Sequence, residues 1–206
     1  MGPTNEAKEA GPTSAAMRYS KEHKDQARQR LLSASARHVK QHGFAASGVD
    51  ALASAAGVTS GSLYKHFDGK SDLFACVIRA DLQRTAERFA HIPLGDAGAA
   101  EKAMATYLSR HHLRHPQQGC PLPGLSAEVA RADDAVRAAF DDGLREIHAQ
   151  LQPIAGSSAK AWALINQSVG AVMLARAALD PALQRELLAS ARAQVRELFA
   201  TGRVDR

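Results

Sequence analysis

The sequence predicts an all-α fold of about nine helices, and three observations carry that expectation. Alanine recurs throughout, while aromatic residues make up only 5% of the 206 positions. Alanine loses no side-chain entropy in a helix, whereas strands favour β-branched and aromatic side chains. Apolar residues return at three- and four-residue intervals in most segments, and no alternating stretch is long enough for a strand.

The elements follow in order. Residues 1–19 (MGPTNEAKEAGPTSAAMRY) lack periodicity and read as a flexible tail. A long helix is expected from Ser20 to about Gln41, with Leu31, Leu32, Ala34, Ala36 and Val39 on its apolar face and Gly43 as the stop. A short helix starts at Ser47, with Asp50 placed as in a capping box, and ends at Gly57. The next begins at Thr59, a good N-cap, and ends near Phe67. After the Asp68-Gly69 turn, a longer helix runs from about Lys70 to Phe89. Pro93-Leu94-Gly95-Asp96 breaks the chain, and five helices follow at roughly 98–114, 121–131, 134–152, 157–179 and 181–199. The last opens with Asp180 as N-cap and Pro181 at the first helical position, where its missing N–H costs nothing.

With 45% hydrophobic and 23% charged residues the chain can build a core, which excludes a disordered protein. No apolar run is long enough to span a membrane and no secretory signal is apparent, so a cytoplasmic location is expected. Cys76 and Cys120 read as reduced thiols. Charge is unevenly placed. Residues 18–70 carry nine Lys/Arg against four acids, an excess equal to the whole net charge of +5. A polyanionic partner for this quarter of the chain is the physical implication.

The most informative segment is Val49–Phe67. Two short helices joined by a glycine-containing turn make a helix-turn-helix when the interior positions suit a steep crossing. Leu52 and Ala56 face inward, Ala53 is small at the point of approach, and Gly57 permits a left-handed turn. Val58 plugs the turn, while Leu63 and Phe67 bury the second helix. In such a unit the second helix enters the major groove of double-stranded DNA with its N-terminal residues on base edges. That places Thr59, Ser60, Gly61, Ser62 and Lys65 at bases, and Tyr64, His66 and Lys70 at flanking phosphates. Ser47 and the free N–H groups of its helix offer a further phosphate contact. The alternative for Tyr64 and His66 is a packed aromatic and a surface histidine.

The run FAASGVDALASAAGVTSGSLYKHFDGKSDLF from Phe44 to Phe74 closely resembles the DNA-binding domain of TetR-family transcriptional regulators. With the preceding helix the resemblance covers about residues 20–75. It implies a homodimeric repressor in which residues 20–68 bind a palindromic operator and residues 69–203 bind a small-molecule effector and dimerise through the last two helices. It also implies a mostly apolar cavity within residues 98–179, for which helical phase suggests Met104, Tyr107, Phe140, Trp162, Asn166 and Met173 as lining residues. No cofactor is expected.

The stretch RHHLRHPQQGCPLPGLSAEVA (residues 110–130) stands out. His111 and His112 point to different sides of a helix, which disfavours a metal site with His115, and none is expected. Cys120 opens a segment placed as a helix N-terminus, where the dipole can lower a thiol pKa. GCPLPGLSAE also resembles a stretch in a TetR subgroup with electrophile-responsive members. A thiol sensor at Cys120 is therefore one alternative trigger, beside a small buried residue at a helix start. Cys76 reads as packing. Phosphate-binding glycine loops and hydrolase signatures are absent from the sequence, so an enzyme is not expected. A helical ligand-binding or interaction protein without operator binding is the competing class, and the basic N-terminal region favours the DNA-binding reading.

Overall fold

A computed structural model describes the backbone of residues 14–200 and the side chains of residues 24–199. Its helices are α1 (Ser14–His42), α2 (Val49–Ala55), α3 (Ser60–Tyr64), α4 (Lys70–Ala90), α5 (Ala97–Tyr107), α6 (Arg110–Arg114), α7 (Leu122–Val129), α8 (Asp134–Ala155), α9 (Ser158–Ala177) and α10 (Pro181–Ala200), with a 3-10 turn at Pro116–Gln118. Among the described residues there is no strand, and the fold is all-α. Helix α1 already begins at Ser14, so residues 14–19 of the expected tail are helical. Residues 1–13 of that tail lie outside the described residues.

The helix expected over 98–114 divides in two. Ser109 is the reason: its side chain accepts the His112 N–H at 3.2 Å and starts α6 afresh. The Leu108 carbonyl left at the break is taken by Arg192 of α10 at 2.7 Å. Conversely, α8 runs past residue 152 to Ala155. Pro153 sits in its last turn, and Gly156 ends it in the left-handed conformation at φ 82°.

The pairing of α4 with α8 forms the centre of the molecule. Gly143 makes it possible, since a Cβ there would lie 2.5 Å from the Leu82 Cβ. Helix α9 packs between α8 and α10, while α1 lies on α4 and on the 3-10 turn. One continuous core results. It runs from Leu31, Leu52, Leu63 and Phe67 through Leu73, Ile78 and Leu82 to Met104, Ile147, Leu164 and Val195, all buried. Burial of each such side chain contributes about 1.5–3 kcal/mol before entropy. Because α4 belongs to this core along its whole length, a shift at one end is felt at the other.

Candidate nucleic-acid interface and effector chamber

Helices α2 and α3 form the helix-turn-helix. The turn needs Gly57, at φ 69°, and Leu52, Ala53, Leu63 and Phe67 bury the inner side. Thr59 caps α3 by accepting the Ser62 N–H at 3.2 Å. The outer side stays open. Thr59, Gly61 and Lys65 are exposed, Ser60 and Ser62 are half-exposed, and Tyr64 is 55% exposed. His66 is half-buried beside Phe67.

Two details near this surface differ from expectation. Ser47 does not cap α2. It is buried, and its hydroxyl donates to the Gly43 carbonyl at 2.5 Å, while Gly48 occupies the cap position without a side-chain bond. The turn from α1 takes up the hydroxyl, so a phosphate contact by the Ser47 side chain would break that bond. Asp50 likewise is not part of a capping box; it accepts a hydrogen bond from Ser60 and ties α2 to α3. Lys70 heads α4 with its ammonium 4.6 Å from the centre of the Phe44 ring and 3.5 Å from the Ala45 carbonyl. Arg28, part of the N-terminal basic excess, is occupied structurally: its guanidinium lies 5.0 Å over the Phe67 ring and donates to the Cys76 sulfur at 3.2 Å.

A second feature lies between α4, α5, α6 and the 3-10 turn. A cavity of about 390 Å³ is lined by Thr85, Phe89, Tyr107, His111, Gln118 and Cys120, among others. Its wall is built around His112. The ring donates from Nδ1 to the Tyr107 carbonyl at 2.6 Å and accepts the Cys120 N–H on Nε2 at 3.2 Å. A carbonyl only accepts and an amide only donates, so this geometry fixes the neutral ring and its tautomer. Burial, with the nearby cations of Arg176, Arg88 and Lys40, outweighs the Tyr107 carbonyl and pushes the His112 pKa down to about 4. Gly119 leaves room for the ring, because a Cβ there would fall 2.1 Å from His112 Cδ2. Arg176 of α9 braces the same wall by donating to the His112 carbonyl at 2.8 Å.

Cys120 lies in this wall two residues before α7, yet it is buried, and burial raises its thiol pKa. The Leu122 amide and the Tyr107 and Thr85 hydroxyls favour the thiolate less than burial opposes it. The lowered pKa expected from a helix N-terminus is not what this site has. The three neighbouring histidines do not converge on one point: His112 is committed to the wall, and the His111 and His115 rings pack at a tilt of 39° with centres 4.5 Å apart. Among the described residues no group of His, Cys, Asp and Glu is arranged to hold a metal ion.

Of the lining residues expected from helical phase, Met104 and Tyr107 meet the cavity or its apolar extension beneath Phe89. The other four lie elsewhere. Phe140 packs against the core from α8, and Trp162 stacks on His148 with ring centres 4.3 Å apart. Asn166 and Met173 are exposed on the opposite face of α9, because Ala161, Leu164, Ile165, Ser168 and Val172 take the inward phase. Residues of α6 and the 3-10 turn line the cavity although helical phase did not place them there, and the buried pair Lys40–Asp81 lines the adjoining space. Asp81 had a signal: it shares a helical face with Val77 and Thr85, four residues either side, both buried.

Residues 31–77 match the family of bacterial regulatory proteins, tetR family. Solved structures match over most of the chain. The reduced form of NemR from E. coli is 22% identical, with 84% of this chain and 96% of that one covered at a TM-score of 0.69. A TetR-family regulator from Cytophaga hutchinsonii is 19% identical, covering 89% and 98% at a TM-score of 0.69. A TetR transcriptional regulator from Legionella pneumophila is 17% identical, covering 82% and 94% at 0.69. A comparison with curated proteins found no match.

Proposed function

We propose that the chain, whose residues 31–77 match the tetR family of bacterial regulatory proteins and whose fold is that of solved TetR-family regulators, is a dimeric repressor released from a palindromic operator by a small-molecule effector. The observation that carries DNA binding is α3, buried on Leu63 and Phe67 and open along Thr59, Gly61, Tyr64 and Lys65. A helix presented in this way fits the major groove. Lys65 is the base-reading cation, able to donate to guanine O6 and N7. Tyr64 and Lys70 contact the flanking backbone, joined by the free amides at the start of α2 in place of the Ser47 hydroxyl.

Dimerisation through α9 and α10 is supported by the apolar side chains those helices leave in solvent. Met173 and Leu174 are 46% and 55% exposed, and Leu179 and Leu183 extend the strip to α10. Gly170 has open space where its Cβ would be, which suits close approach of a partner helix. The effector reading rests on the 390 Å³ cavity beside α4, the helix whose first residue is Lys70. A ligand that favours a different tilt of α4 lowers operator affinity by shifting the population away from the DNA-binding state.

Footprinting on the DNA flanking its own coding region, with the molar mass measured in parallel, tests this reading. A twofold-symmetric footprint from a dimer is expected. A monomer, or protection of an asymmetric site, would overturn it.

A further inference from the structure

The chamber's charge identifies the chemistry of what it takes. Among the residues that line the main cavity there is no carboxylate, whereas Arg88, His111 and His115 stand at its rim. A second cavity of about 260 Å³ adjoins it, between α1, α4 and the 3-10 turn. Thr85, Arg88, Gln118 and Gly119 line both, so Arg88 stands at the junction. The second cavity adds Arg37, Lys40 and Arg84 against one carboxylate, Asp81. That carboxylate is already occupied by Lys40 and Arg84. No carboxylate among the described residues pairs with Arg37 or Arg88. These cations repel one another: Arg84 is held below its ordinary pKa by burial first, then by Arg88 and Arg37, which together outweigh the nearby Glu87 carboxylate. With four cations against one carboxylate, the concave site focuses a positive potential.

The other wall is apolar. Phe89 and Ala103 face the main cavity, and the Tyr107 hydroxyl is enclosed there beside the Cys120 sulfur, a weak acceptor, with no oxygen or nitrogen partner among the described residues. We infer that the effector is an organic anion, with its acidic head on Arg88 between Arg37 and Arg84, and its apolar body in the main cavity against Phe89, Ala103 and Tyr107. This inference rests on the effector-chamber reading above and adds the ligand class. An anion so placed joins Arg37 of α1 to Arg88 of α4, and therefore acts on the contact between the helix that supports the reading head and the helix that lines the chamber.

The test is calorimetric titration of the full-length protein with 4-phenylbutyrate, 4-phenylbutan-1-ol, 4-phenylbutylamine and inorganic sulfate. The acid is expected to bind at least tenfold more tightly than the alcohol, and the amine and sulfate more weakly than either. Arg88→Gln should remove the difference between acid and alcohol while the alcohol's affinity stays, and Arg88→Lys should restore part of it. Thr106→Trp, an exposed position on the cavity wall, should weaken acid and alcohol together. Equal binding of acid and alcohol, with both weakened by Thr106→Trp, would keep the chamber and overturn the anion. Binding that ignores Thr106→Trp would overturn the chamber itself. Tighter binding of the amine, sulfate binding as strong as the acid's, or no binding by any probe would each overturn the inference.

Discussion

Lys40 of α1 and Asp81 of α4 form an ion pair at 2.7 Å with side chains only 7% and 2% exposed, and the same ammonium donates to the Gly119 carbonyl at 2.9 Å. Three elements meet at one charge. Removing one partner of a buried pair strands the other, which costs about 3–5 kcal/mol. The two sides are not equivalent here, since Asp81 keeps Arg84 if Lys40 is lost. Asp81→Asn is therefore expected to destabilise by about 3 kcal/mol and Lys40→Met by roughly half as much. Urea unfolding of both variants checks the order; equal losses would show that Arg84 does not hold Asp81.

Gly119 and His112 are matched by shape. Alanine at 119 would drive its Cβ into the ring, displacing a side chain that holds the Tyr107 carbonyl and the Cys120 amide. Gly119→Ala is expected to cost about 2 kcal/mol, in the range of overpacked cores. In a His112→Ala background the same change should cost clearly less, and a double-mutant cycle measures the coupling. Additive losses would mean that the ring is not the obstacle.

The same histidine makes stability depend on pH. Its folded pKa, about 4, lies below the unfolded value near 6.5, so the unfolded chain binds the extra proton first. The contribution is complete above pH 6.5 and is lost as pH falls from there towards 4. Protonation puts an N–H of the ring against the Cys120 N–H. The parent should lose roughly 2–3 kcal/mol more than His112→Gln across that window. Unfolding midpoints at several pH values in both proteins decide this, and parallel pH profiles would count against it.

Periodicity made the helices legible, and turn chemistry made the helix-turn-helix legible, because Gly57, Val58 and the spacing of Leu52, Leu63 and Phe67 are local signals. The chamber was not legible from phase. Phase tells which residues of one helix share a side, but Asn166 and Met173 show that it does not tell which side meets the cavity. The cavity walls come from a helix break at Ser109 and a 3-10 turn, which carry no periodicity. Lys40 is a similar case. Its charge counts toward a basic surface in the sequence, yet the fold places it in a buried pair.

The proposed DNA contacts separate by kind. Lys65 is exposed at the end of α3, while Lys70 is held near the Phe44 ring beside the turn. Lys70→Ala should weaken binding to all sequences alike and reduce the salt slope by about one unit. Lys65→Ala should instead relax the preferred base at one position of each half-site. Binding measured over a salt series on operator and scrambled fragments distinguishes them; identical behaviour of the two variants would remove Lys65 from base reading.

The thiol trigger makes the last prediction. Cys120 is buried with a raised pKa, so the nucleophilic thiolate is scarce in the folded protein. Alkylation by N-ethylmaleimide should be at least tenfold slower in the native state than in urea at the same pH, as followed by mass spectrometry. The sulfur also lines the cavity, so an adduct there would fill the space assigned to the effector. A mild electrophile that releases the parent from operator DNA but spares Cys120→Ser would then act as an effector delivered covalently. If native alkylation at Cys120 is as fast as in urea, the wall around His112 opens freely in solution and the thiol is itself a sensor. If parent and Cys120→Ser respond alike, Cys120 is a packing residue and only the reversible ligand remains as the signal.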